Sequence, residues 1–138
     1  YEVDLESRRD IPGYADVAAE PFEDWMAHNM RRPTDCPEAT FIALAGEEVV
    51  GFARLSLTAP AAAGHAMTAV KRAWRGRGIA HALKAAEITW ALANGYTELR
   101  TSNEPRNAPI KRLNARLGYR PGIGRIHLVG PVIGGLSR

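Results

Sequence analysis

The stretch Arg75-Gly76-Arg77-Gly78-Ile79-Ala80 constrains the fold of this chain more than any other. Two glycines alternate with two arginines, and apolar residues at helical spacing follow at once: Ile79, Leu83, Ala86, Trp90 and Ala93. The spacing predicts a helix over residues 79–93, with Asn94-Gly95 offering a left-handed stop. Residues 65–70 before the loop read as a strand, and residues 99–102 after the helix read as another. Strand, helix and strand in this order imply a parallel pair joined by a right-handed crossover. Glycine tolerates a positive φ and lets the backbone approach a ligand closely. The first turn of the helix carries N–H groups with no partner inside it. Together with the helix dipole they form an anion site, so the loop is expected to hold a phosphate or diphosphate by main chain.

Three loop types compete for that role. A P-loop needs G-x-x-x-x-G-K-[ST], and no Lys-Ser or Lys-Thr pair follows Gly76 or Gly78. A dinucleotide fingerprint needs a third glycine where His81 stands, and an acidic residue where the second strand ends at Asn103. The third pattern is [QR]-x-x-G-x-[GA], present as Arg75-x-x-Gly78-x-Ala80. It resembles the acetyl-CoA loop of the GNAT superfamily of N-acetyltransferases. A second block supports the likeness: Tyr96-Thr97-Glu98-Leu99-Arg100-Thr101-Ser102-Asn103, then Asn107-Ala108-Pro109-Ile110, then Asn114-Ala115-Arg116-Leu117-Gly118-Tyr119. This is similar to the second half of the same family, with a strand, an asparagine near its end, a short helix and a closing Leu-Gly-aromatic. The resemblance covers residues 40–128; the first forty residues carry little of it.

The resemblance implies an α/β (α+β mixed sheet) protein of the GNAT-type acyl-CoA N-acyltransferase fold, a central mixed, split β-sheet flanked by helices on both faces. It implies acetyl-CoA as co-substrate and acetylation of a primary amine, on a small molecule or peptide, by direct attack in a ternary complex. Main-chain N–H groups of Arg75, Gly76, Arg77, Gly78, Ile79 and Ala80 would hold the pyrophosphate. The pantetheine arm would pair with the strand ending in Ala69 and Val70, and the oxyanion donor would be a backbone N–H of that strand. Asn103 and Asn107 sit where the family contacts the cofactor from the other side of the sheet, and Asn107 also reads as a helix N-cap. Asn114 shares the apolar face of its helix with Ile110 and Leu117, and takes the place of a tyrosine that in many family members protonates the departing thiolate. An amide is no acid near neutral pH, so either water or another group serves, or the domain binds CoA without efficient chemistry. The family has a packing aromatic where Tyr119 stands. His65, at the start of its strand, is the candidate general base. His81 reads as surface or phosphate-proximal, and His28 and His127 have no visible partner.

The remaining sequence bounds these readings. A chain of 138 residues suits one domain, residues 1–138, either complete or one part of a longer protein. Its opening at Tyr1 is compatible with a removed leader or a trimmed start. No apolar run approaches a membrane span. The lone Cys36 excludes an internal disulfide framework and favours a reducing, cytoplasmic setting. Neither His nor Cys spacing suggests a metal site. The net charge of +3 gathers at Lys71, Arg72, Arg75 and Arg77. A nucleic-acid module is one explanation, but without interleaved aromatics beyond Trp74 a small phosphorylated ligand explains the charges more locally. The expected partners are therefore an amine substrate and neither nucleic acid nor membrane, with a homodimer left open. Residues 10–32 read as helical, on stripes Ile11-Ala15-Ala18 and Phe22-Trp25-Met26-Met30. Residues 31–38 read as a loop, 40–45 and 49–58 as a hairpin about Gly46-Glu47-Glu48, and 59–64 as a small-residue loop. Residues 119–122 and 125–129 read as two last strands. Asp16, Glu20, Glu23 and Asp24 give an acidic tract that either attracts a cationic amine or is simply a solvated helix face.

Overall fold

Gly46, at φ 61°, supplies the left-handed residue that turns the chain between strands β1 (Asp35–Ala45) and β2 (Glu48–Ala59). A second tight turn at Pro60-Ala61 returns it as β3 (Ala62–Val70). These turns belong to a computed structural model that describes residues 1–11 and 18–122. A short 3-10 turn (Arg72–Trp74) and the glycine loop lead into helix α3 (Ile79–Ala93), followed by β4 (Glu98–Arg100) and α4 (Ala108–Arg116). Helices α1 (Glu2–Arg8) and α2 (Phe22–Met30) precede the sheet. The sheet order is β1-β2-β3-β4, antiparallel except for the parallel β3–β4 pair. This is the mixed sheet expected from the sequence.

Alternation along β2 sends neighbouring side chains to opposite layers. Phe52 packs with Val3 of α1 and with Ala69. Ala53 packs with Leu83 of α3 and with Val70, while Leu55 joins Ala63 and Ala91. Helices therefore cover both faces. An irregularity in β3 redistributes its residues between them. Arg54 pairs with Met67 and Leu55 with His65, which leaves Ala66 as an unpaired extra residue. Such a bulge reverses the facing of everything beyond it. Ala63 consequently belongs to the α3 side, whereas Met67 and Ala69 pack on the α1 side.

Several expectations are corrected. The first helix is α1, at Glu2–Arg8, rather than a segment starting at residue 10. Its buried face is Val3, Asp4 and Ser7, too polar to register as an apolar stripe. Buried Asp4 accepts hydrogen bonds from Trp25 Nε1 and Arg8 Nε, each at 2.6 Å. Ala15 and Asp16 lie outside the described residues. β1 already starts at Asp35; Pro37 is accommodated because this is the sheet edge and the pairing is interrupted between Asp35 and Thr40. The small-residue loop shrinks to two residues, with β3 beginning at Ala62. Residues 119–122 form no strand: Gly118 (φ 86°) closes α4, and the Tyr119 N–H donates to the Asn114 carbonyl at 3.0 Å. The expected strand 125–129, with His127, lies outside the described residues. Helix α3, by contrast, occupies the predicted span.

Candidate active site

The glycine loop is shaped by two left-handed residues, Gly76 at φ 75° and Gly78 at φ 81°. Gly78 is the N-cap of α3, and the first helical bond runs from the Ala82 N–H to the Gly78 carbonyl at 3.0 Å. The N–H groups of Gly76, Arg77, Gly78, Ile79 and Ala80 therefore find no acceptor among the described residues. Arg75 differs, because its N–H donates to the Arg72 carbonyl at 3.2 Å. A Cβ built at Gly76 or Gly78 would meet nothing within 4 Å beyond its chain neighbours, so the loop borders open space. Five of the six predicted loop positions thus present the row of donors that an anionic ester requires.

The arginine side chains are organised rather than loose. Arg75 Nε donates to the Val70 carbonyl at 2.9 Å and Nη1 to Asp10 at 2.6 Å. Arg72 Nε also reaches Asp10, at 3.0 Å, and Arg77 stacks over Trp74 at 4.6 Å. The Arg72 and Arg75 hydrogen bonds hold the Asp10 carboxyl down at about 2. Asp10 thereby ties the end of α1 to the loop. Its lowered value means stability that is present above pH 4 and is lost as pH falls toward 2. Because the partners are substantially exposed, Asp10→Asn is expected to cost only about 1 kcal/mol at pH 7 in urea unfolding. The difference should disappear near pH 2.

Beyond the loop, β3 and β4 part company. Only Ala62, Ala63 and Gly64 pair with β4, opposite Glu98, Leu99 and Arg100. Among the described residues, 65–70 pair with β2 alone, which leaves the other backbone edge, running through Ala69 and Val70, available to an extended ligand. Asn107 Oδ1 accepts from the Ile110 N–H at 3.4 Å, the expected N-cap. Asn103 is exposed. Asn114 is buried, and neither its Oδ1 nor its Nδ2 has a partner among the described residues.

His65 stands where the two strands separate, inside β3 rather than at the start of its strand. Its side chain is 2% exposed. Nδ1 lies 2.7 Å from Glu87 Oε2, and Nε2 meets the Tyr119 hydroxyl in a short contact. With Glu87 as carboxylate and the ring neutral, the carboxylate can only accept, so Nδ1 carries the proton and Nε2 accepts from the tyrosine. Glu87 is fully buried, as is Lys84, whose Nζ lies 5.5 Å from the centre of the Tyr119 ring. Burial, reinforced by the charge of Glu87, raises the Tyr119 hydroxyl to about 12. Burial lowers Lys84 to about 8 despite the attraction of Glu87. Sequence reasoning missed Lys84 and Glu87 and gave Tyr119 a packing role only. The available signal was spacing: Glu87 sits four residues after Leu83 and four before Ala91, within the helix's inward stripe.

A cleft of about 620 Å³ on the α1–α2 side is lined by Tyr1, Val3, Phe22, Trp25 and Phe52, with Lys71 and Glu48 at its wall. Of the acidic tract, Glu20 accepts from His28 at 2.9 Å and Glu23 pairs with Arg31 at 3.5 Å. Among the described residues no helix is long and apolar enough to cross a membrane.

Comparison with known proteins gives a consistent answer. The chain matches no curated protein. Its backbone is similar to the aminoglycoside N-acetyltransferase AAC(6')-Iy in complex with a CoA bisubstrate analogue: 22% identity, TM-score 0.67, 94% of this chain and 90% of the other. It is also similar to the ribosomal-protein-S18-alanine N-acetyltransferase from Escherichia coli: 18% identity, TM-score 0.70, 89% of this chain and 70% of the other. An aminoglycoside acetyltransferase from an uncultured soil metagenomic sample aligns at 21% identity and TM-score 0.62, over 83% of this chain and 77% of the other. The model of the Acetyltransferase (GNAT) family matches residues 5–119, a span that contains the glycine loop, the open strand edge and Tyr119. The chain belongs to the GNAT family of acetyltransferases.

Proposed function

We propose that this protein is an acetyl-CoA-dependent N-acetyltransferase that acylates a primary amine of a small molecule or peptide by direct attack. The observation that carries this reading is the row of unpartnered N–H groups from Gly76 to Ala80 beside the open edge of β3. A diphosphate fits the first and an extended amide-bearing arm fits the second. Bound acetyl-CoA supplies an activated thioester; the protein's task is to align the amine, accept its proton and stabilise charge. Backbone N–H groups around the bulged Ala66 are candidates for the last role, and His65 is the candidate proton acceptor. Asn103 after β4, and Asn107 and Asn114 on α4, would contact the cofactor from that side. The proteins of similar structure act on aminoglycosides and on a ribosomal-protein alanine, which makes those two amine classes the first to test. Calorimetric titration with CoA, followed by thiol release from acetyl-CoA with each amine class, tests the reading. Absence of CoA binding overturns it.

A second reading, a CoA-binding domain without chemistry, is favoured by Asn114 in place of the usual tyrosine. CoA affinity with no thiol release from any amine would support it. The unpartnered amide of Asn114 gives a separate prediction. Asn114→Leu removes a buried, unsatisfied group and should raise stability by about 1 kcal/mol while weakening CoA binding or turnover. Unchanged affinity and kinetics would make Asn114 purely structural.

A further inference from the structure

The buried cluster of Glu87, His65 and Tyr119 is larger than a lone base requires. Two of its members are sealed: the His65 side chain is 2% exposed and Glu87 is fully buried. Tyr119 is half-buried, which leaves it as the end of the cluster nearest to solvent among the described residues. The chain of hydrogen bonds runs in one sense, with the Tyr119 O–H donating to Nε2 and Nδ1–H donating to Glu87. The tyrosine oxygen keeps its lone pairs free for a further donor. Glu87 Oε1 and the side-chain amide of Asn114, whose carbonyl accepts from the Tyr119 N–H, are buried polar groups without partners among the described residues.

We infer that Tyr119, His65 and Glu87 form a proton relay in which the tyrosine oxygen, rather than the imidazole, meets the substrate amine. This rests on the acetyltransferase reading above. As the nitrogen attacks the acyl carbon, one N–H bond breaks and its proton passes to Tyr119 Oη. The proton already on Oη moves to His65 Nε2, and the resulting imidazolium is held by the Glu87 carboxylate. After acyl transfer the proton returns along the same bonds to the thiolate product, so the cluster ends as it began. Tyr119 is then the catalytic residue of the relay, and His65 and Glu87 act through it. The raised affinity of the tyrosine for its proton suits a group that passes protons without resting as phenolate.

Among the described residues, His65 meets Glu87 of α3 and Tyr119 at the end of α4, and apolar Leu55 of β2 stands opposite it; Lys84 of α3 lies over the Tyr119 ring. On β4, Arg100 is exposed and bonded to Glu98. Glu87 favours the imidazolium, whereas the Tyr119 hydroxyl favours the neutral ring by donating to it. In ¹⁵N NMR of the unliganded protein, the relay predicts the His65 ring proton on Nδ1 and an acceptor Nε2, a preference that Glu87→Gln and Tyr119→Phe should each weaken. In thiol release from acetyl-CoA with aminoglycosides or an alanine-ended peptide, Tyr119→Phe should lose about 100-fold or more in rate at unchanged CoA affinity. Glu87→Gln should move the acid limb of the pH–rate profile to lower pH.

Tyr119→Phe is nearly isosteric and keeps the ring packing, so it tests the relay even if Glu87→Gln fails to fold. Full-rate turnover by Tyr119→Phe, or a His65 tautomer signal indifferent to its loss, overturns the relay while leaving the acetyltransferase reading in place. CoA binding by the wild-type chain without thiol release from either amine class also overturns it. Failure of the wild-type chain to bind CoA overturns both.

Discussion

Gly78→Glu is expected to abolish CoA binding in isothermal titration calorimetry while the protein remains folded. Gly78 sits at φ 81° with no atom within 4 Å of where a Cβ would stand. A side chain there costs about 1–2 kcal/mol in backbone strain but meets no steric wall. The loss of binding has a different origin. A carboxylate at the head of α3 would satisfy the N–H row and helix dipole itself, and it would repel an incoming diphosphate. Gly46→Ala provides the control, since it imposes a comparable left-handed strain at φ 61° in the β1–β2 turn. It should lose stability and keep CoA affinity. Undiminished binding by Gly78→Glu would mean that the loop is not the diphosphate site.

Lys84→Met should stabilise the protein, and by an amount that depends on pH. Burial lowers the lysine from 10.5 to about 8 in the folded state. Below pH 8 the amine is charged in both states, and confining that charge costs the fold on the order of 3 kcal/mol. Between pH 8 and 10.5 the unfolded chain binds more protons than the native one, so wild-type stability rises with pH through that window. Methionine removes the charge and fills similar space. It also forfeits the interaction of the ammonium with the Tyr119 ring, worth about 1 kcal/mol. A net gain of about 2 kcal/mol is expected at pH 7 in denaturant unfolding, shrinking to nothing or a slight loss by pH 10.5. The titration of Tyr119 is common to both proteins and cancels in the difference. An equal difference at the two pH values would show that the buried charge is not the cause.

The parts of the fold that could be read in the sequence are those encoded locally. Helix α3 announces itself by apolar periodicity and by Gly78 and Gly95 at its ends, and α4 by Asn107 and Gly118. The first hairpin is visible because Gly46 punctuates two apolar runs. Helix α1 was missed because its inward face includes Ser7 and Asp4, the latter held by Trp25 from another helix. Asp10 was invisible as a loop partner because Arg75 lies sixty-five residues away. The Lys84–Glu87 pair was hidden by the rule that finds helices: counting apolar positions passes over charged residues on the buried face. His65 was recognised as chemistry, yet its partners come from α3 and from the end of α4, which no local pattern connects.

The unpaired Ala66 has a bearing on how freely this strand can change. Ala63 belongs to one layer and Met67 to the other, although an even number of positions separates them. Losing or gaining a single residue between His65 and Met67 would throw the two halves out of phase. Either the imidazole would leave Glu87, or Met67 and Ala69 would leave the core beneath α1. The length of that short span is thus as tightly constrained by packing as any buried side chain, while the inserted residue, exposed and opposed by no partner, can be exchanged without disturbing either layer.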